Sequence, residues 1–79
     1  MRLDKYLKVS RIIKRRTVAN EACDAGRVLV NGKVARASYD VKVGDVLTIQ
    51  FGTRELKAEI LTVQETVAKN DAALLYKLL

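Results

Sequence analysis

The sequence predicts an α+β domain: two short N-terminal helices on a small, mainly antiparallel sheet, with a short helix at the C-terminal end. Three features carry that expectation. Apolar residues recur at helical spacing near the start, at Leu3, Tyr6 and Leu7 and again from Val18 to Ala25. Asn31-Gly32 sits between two apolar runs, and a two-residue hairpin turn wants positive φ at both central positions. From Val46 to Ile60, apolar and polar residues alternate with the period of half-buried strands.

The first helix is expected over Leu3 to about Val9, with Leu3 and Leu7 one turn apart and Tyr6 beside them. Asp4 falls in its first turn, where the helix dipole favours an anion, and is spaced to pair with Lys8 at i,i+4. A second helix is expected from Thr17, as N-cap, to Ala25. Val18, Ala22 and Ala25 mark one of its faces, with Ala19 and Cys23 beside them. Gly26 should end it in left-handed backbone.

Val28-Leu29-Val30 and Lys33 to Ala37 form the arms of the hairpin, and Val43-Gly44-Asp45 turns the chain again. Leu47, Ile49 and Phe51 share one face of the next strand; after Gly52-Thr53, Leu56, Ala58 and Ile60 share a face of its partner. Near the end, Asn70 is a candidate N-cap and Leu74, Leu75 and Leu78 an apolar face. Residues 1–65 are therefore expected as the domain proper and 66–79 as a helical tail packed on the sheet. Tyr6 and Phe51 are expected to be buried, leaving Tyr39 and Tyr76 as exposed aromatics.

A chain of 79 residues makes one small domain. It buries about 60–65% of its unfolded surface and has room for one binding face. No apolar run approaches the roughly 18 residues of a membrane span, and the opening Met1-Arg2-Leu3-Asp4 lacks a signal-peptide core. A cytoplasmic protein without a membrane partner is expected.

Net charge is +6, and it is unevenly spread. Residues 1–36 carry ten Lys/Arg against three acids, a net of +7, whereas residues 37–79 carry five against six, a net of −1. Charge concentrated on one half points to a polyanion-binding face.

Catalytic options are few. There is no histidine, the four glycines are separated rather than gathered in a phosphate loop, and Ser10 and Ser38 have no base nearby in sequence. The single cysteine, Cys23, excludes an internal disulfide and reads as a small apolar packer. No enzymatic activity, cofactor or metal site is expected.

Binding is what the residues offer. Lys14-Arg15-Arg16 immediately precedes the expected second helix, where the dipole disfavours cations but a phosphate accepts both backbone N–H groups and guanidinium donors. Arg2, Arg11, Arg15 and Arg16 are the leading candidates, because the arginine fork makes paired hydrogen bonds to phosphate. Lys5, Lys8 and Lys14 supply the electrostatic surround, and Arg27, Lys33 and Arg36 flank the hairpin and extend the surface. With few exposed aromatics for base stacking, folded RNA read through its backbone is the expected ligand.

The residues also carry a resemblance. Arg2-Leu3-Asp4-x-x-Leu7, Arg16, Ala19, Gly26-Arg27-Val28-x-Val30-Asn31-Gly32, Ser38, Val41 and Gly44-Asp45 resemble the S4 RNA-binding domain over roughly residues 2–51. That resemblance implies an S4-like (alpha-L) fold in which a helix pair on a small curved sheet docks on structured RNA. The opening run from Met1 to Thr17, with Phe51-Gly52, is similar to the stand-alone RqcP (YabO) family of bacterial ribosome-associated quality control. The narrower resemblance implies a non-enzymatic factor that binds stalled large ribosomal subunits carrying peptidyl-tRNA. Its implied partners are large-subunit rRNA, tRNA and an RqcH-type factor that adds C-terminal alanine tails, with Arg2 and Arg16 as the leading backbone contacts. Ala22-Cys23 departs from the larger aliphatics common in the wider domain, which implies looser packing of the second helix. Two other readings fit the residues. One is a large-subunit assembly or heat-shock subunit-recycling RNA-binding protein; the other is a protein-interaction module whose basic face docks an acidic partner.

Overall fold

Two helices, α1 (Leu3–Val9) and α2 (Arg16–Asp24), precede the strands β1 (Val28–Val30), β2 (Lys33–Val34), β3 (Val46–Phe51) and β4 (Arg54–Ile60). A 3-10 helix (Lys69–Leu75) and a last strand, β5 (Tyr76–Leu78), complete the chain. This computed structural model describes residues 1–65 and 67–79. The strands form one antiparallel sheet in the order β2-β1-β3-β4-β5. In its centre Val28 lies opposite Ile49, and Leu47 lies opposite both Val30 and Ala58. The fold is the α+β class expected from the sequence.

The core sits between the helix pair and the sheet. Leu3, Tyr6 and Leu7 of α1 meet Ala19 and Cys23 of α2 over Val28, Leu47, Ile49 and Ile60, all buried. On α2 the buried stripe is Ala19 and Cys23, one turn apart. Val18 and Ala25, expected on the marked face, are exposed instead. Small residues on the inner stripe let the two helices approach closely, and burial lifts the Cys23 thiol to about 11.

Helix α2 ends as expected. Gly26 takes φ +74 after the C-cap Ala25, and the Gly26 and Arg27 N–H groups donate to the carbonyls of Cys23 and Ala22. That is a Schellman closure. The hairpin turn also has the predicted form, with positive φ at Asn31 and Gly32.

Further expectations need correction, among them the exposed aromatics: Tyr39 and Tyr76 are partly buried against the core. Helix α2 starts at Arg16 with Arg15 as N-cap and makes no side-chain cap bond, so Thr17 is not the cap; arginine is a good helix former and carries the helix one residue further. Asp4 does not pair with Lys8, because its carboxylate is buried against α2. Phe51 is 44% exposed at the end of β3, beside the turn into β4. The returning arm of the hairpin is strand over Lys33–Val34 alone, with one more cross-strand bond from the Ala35 N–H to the Val28 carbonyl, and does not reach Ala37 as strand. Finally, the terminal apolar run is split: a 3-10 helix with N-cap Ala68, not Asn70, is followed by β5 paired with β4. Leu75 is buried, while Leu74 and Leu78 are exposed.

Candidate RNA-binding face

The N-terminal segment is laced to the stretch after β2. The Leu3 and Asp4 N–H groups donate to the carbonyls of Tyr39 and Ala37, and Arg2 forms an isolated bridge with Asp40. Arg2 is thereby fixed at the mouth of α1. Helix α1 then closes through Arg11, which adopts φ +62, a left-handed conformation costing a non-glycine residue about 1–2 kcal/mol. The helix stops short of Arg11, yet the turn keeps that side chain alongside Lys5 and Lys8.

Those three residues, with Lys14 and Arg16, line a hollow of about 370 Å³ shared with Val9, Glu65 and Val67. Arg16 also borders the next hollow, with Asp4, Thr17, Asn20 and Glu21. Asn20 continues into a third hollow that runs past Arg2 to Arg36, and Arg36 is shared with a fourth that reaches Lys33. Neighbouring hollows share lining residues, so the four lie in series as a track from Lys8 to Lys33.

Eight of the ten candidate residues border this track. Arg15 is exposed but lines none of these hollows, and Arg27 lies apart, beside Val18, Gln50 and Phe51. Within the track, among the described residues, only Lys5 has an acidic partner from the tail side, Glu65, and that ion pair holds the Glu65 carboxyl below its ordinary range. Lys8, Arg11 and Lys14 carry no ion pair among the described residues.

At the middle of the track Asp4 is the organising group. Arg2 donates from Nε to Oδ1 at 3.2 Å and from Nη2 to Oδ2 at 3.3 Å. Arg16 approaches the same carboxylate at 3.5 Å through Nη2 and Nε. Asn20 Nδ2 donates to Oδ2 at 3.2 Å, and the Lys5 N–H donates to Oδ1 at 2.8 Å. Burial alone would raise the Asp4 pKa, but the hydrogen bonds from Asn20, Arg16 and the Lys5 backbone outweigh it and hold the carboxyl below 3.8. Asp4 and Asn20 were not among the sequence candidates. The available signal was the Arg2-x-Asp4 bracket together with Arg16 and Asn20 at i,i+4.

The first turn of α2 contains no acid and its N-cap makes no side-chain bond. Cations, an uncapped helix start and adjoining hollows suit an extended phosphate backbone. Among the described residues no group of three or more Cys, Asp or Glu is placed to hold a metal, and no helix is long and apolar enough to cross a membrane.

A fold of this kind with a basic helix-pair face is that of an RNA-binding domain, and the S4 domain family matches residues 1–47. The chain belongs to the S4 family. It is 57% identical to the RQC P-site tRNA stabilizing factor of Halalkalibacterium halodurans, over 98% of this chain and 88% of that protein. Heat shock protein 15 homolog of Haemophilus influenzae is 32% identical over 82% of this chain and 50% of the relative. Among solved structures, Vibrio cholerae heat shock protein 15 superposes with a TM-score of 0.92 at 30% identity, covering 100% of this chain and 81% of the other.

Proposed function

We propose that this chain is a non-enzymatic RNA-binding factor of bacterial ribosome-associated quality control. It binds large ribosomal subunits stalled with peptidyl-tRNA and stabilises the P-site tRNA by bridging tRNA and rRNA backbones. In this role it supports the addition of C-terminal alanine tails by an RqcH-type factor, in the cytoplasm. The observation that carries the reading is near full-length similarity at 57% identity to an RQC P-site tRNA stabilizing factor. A basic track on the helix pair supplies a physical means. Arg2, Lys5, Lys8, Arg11, Lys14, Arg16, Lys33 and Arg36 follow the backbone, while Arg15 and Arg27 act as outlying charges.

The likeness to heat shock protein 15 favours a second reading, recycling of subunits after heat shock, at lower identity. Affinity purification from cells at low salt, with sequencing of the bound RNA, separates the two. Large subunits carrying peptidyl-tRNA together with the tailing factor are the expected cargo. Immature subunits would mean an assembly role, recovery only after heat shock would mean recycling, and an acidic protein without RNA would overturn both.

A further inference from the structure

We propose that Asp4 is a positioning residue for RNA binding, a buried anion that holds the Arg2 and Arg16 guanidiniums side by side in the track. The inference rests on the RNA-binding reading above and adds a residue to it. On charge alone a carboxylate in the middle of a polyanion site is adverse, since it repels phosphate. Its surroundings account for it. The Asp4 side chain is 3% exposed, so RNA does not reach it, whereas those of Arg2 and Arg16 are 50% and 46% exposed.

The two arginines come from different elements: Arg2 precedes α1 and Arg16 opens α2. Two guanidiniums brought this close repel unless an anion lies between them, and Asp4 is that anion. Each spends two nitrogens on the carboxylate. A guanidinium has five N–H donors, so about three on each stay free for phosphate oxygens. The clamp also removes, before RNA arrives, rotamer freedom that binding would otherwise have to remove. Neutral donors alone would satisfy a merely structural carboxylate, and Asn20 with the Lys5 N–H already supplies two.

The test is the Asp4→Asn chain, measured for binding to large ribosomal subunits carrying peptidyl-tRNA and corrected for folded fraction by circular dichroism. The substitution raises net charge from +6 to +7. Charge counting therefore predicts tighter binding. Positioning predicts binding weaker by about tenfold or more, the scale of forfeited charge-assisted hydrogen bonds. It also predicts a shallower salt dependence, by about 0.7–0.9 for each phosphate no longer neutralised.

Two further chains separate positioning from general damage. Asp45→Asn makes the same charge change at a buried carboxylate outside the track and should bind within about twofold of the parent per folded molecule. Adding Asp4→Asn to Arg2→Ala should cost clearly less than adding it to the parent, because the groups act as a unit. Undiminished or tighter binding by folded Asp4→Asn, an equal loss in Asp45→Asn, or full additivity with Arg2→Ala would overturn the proposal. Failure of the parent chain itself to bind such subunits would overturn the functional reading as well.

Discussion

Two buried aspartates, Asp4 and Asp45, anchor opposite kinds of corner in this small domain. Asp4 gathers two guanidiniums, an amide and one N–H group. Asp45 gathers only neutral donors: Asn31 Nδ2 at 3.0 Å, the Tyr39 hydroxyl at 2.9 Å and the Lys42 N–H at 3.0 Å. Asn31 in turn accepts from the Val46 N–H at 3.0 Å, so the Asp45 corner ties the hairpin turn to the start of β3. The Tyr39 phenol is held protonated above its ordinary range by its bond to that carboxylate. One acid organises backbone and the other organises cations that remain half exposed. The same side chain thus stabilises structure or prepares a surface according to the charge of its donors.

The contrast is sharpest in Asp45→Ala. It strands the Asn31, Tyr39 and Lys42 donors, and urea denaturation should show a loss of about 2–4 kcal/mol. RNA affinity per folded molecule should not change; a parallel loss of binding would erase the distinction between the corners. Arg16→Ala is the converse. Its side chain is half exposed, so the fold should survive while affinity for large subunits falls by about 1.5–3 kcal/mol, read by titration at fixed salt.

Gly32→Val forces a β-branched residue to φ +84 in a turn with no atom within 4 Å of the added Cβ, so the penalty is pure backbone strain. Stability should drop by about 1–2 kcal/mol with RNA binding intact, measured by thermal melting and titration together. Arg11→Gly should do the reverse: relief of the left-handed strain raises stability by about 0.5–1 kcal/mol while the missing cation weakens binding. Unchanged binding would take Arg11 out of the track.

The smallest effect concerns acid. Because the Asp4 pKa is lowered by folding, its stabilisation is present above the unfolded value near 4 and is lost as pH falls through the lower folded value. Exposed Asp40 and Glu65 shift in the same direction. Acid titration of Asp4→Asn should therefore show a shallower stability decline below about pH 4 than the parent. An identical decline would mean that Asp4 does not report on the clamp.

These corners also mark what the chain reveals of itself before folding. Gly26 and Asn31-Gly32 were legible because their backbone demands are local, met within a few residues. The alternation through β3 and β4 identified both strands, and the cations concentrated in residues 1–36 gather along the hollows of the helix pair and hairpin. The Asp4 clamp was not legible, since its partners Arg16 and Asn20 lie 12 and 16 residues away and are brought in only by α1–α2 packing. Read locally, Asp4 is a first-turn anion spaced for Lys8. The terminal run failed for a related reason. Leu74, Leu75 and Leu78 fit a helix, but β4 offers an unpaired edge that captures Tyr76–Leu78, and the Tyr6 hydroxyl donates to the Leu75 carbonyl at 2.8 Å. Phe51 followed the strand alternation but lies at the end of β3, where the core has run out.

If the helix-pair track grips a sugar-phosphate backbone, binding must weaken as salt competes for the phosphates. Affinity of the full chain for large subunits carrying peptidyl-tRNA should fall with increasing salt, with a log–log slope of about −3.5 to −6, the signature of five to seven neutralised phosphates. A slope near zero would mean that the track neutralises no phosphate.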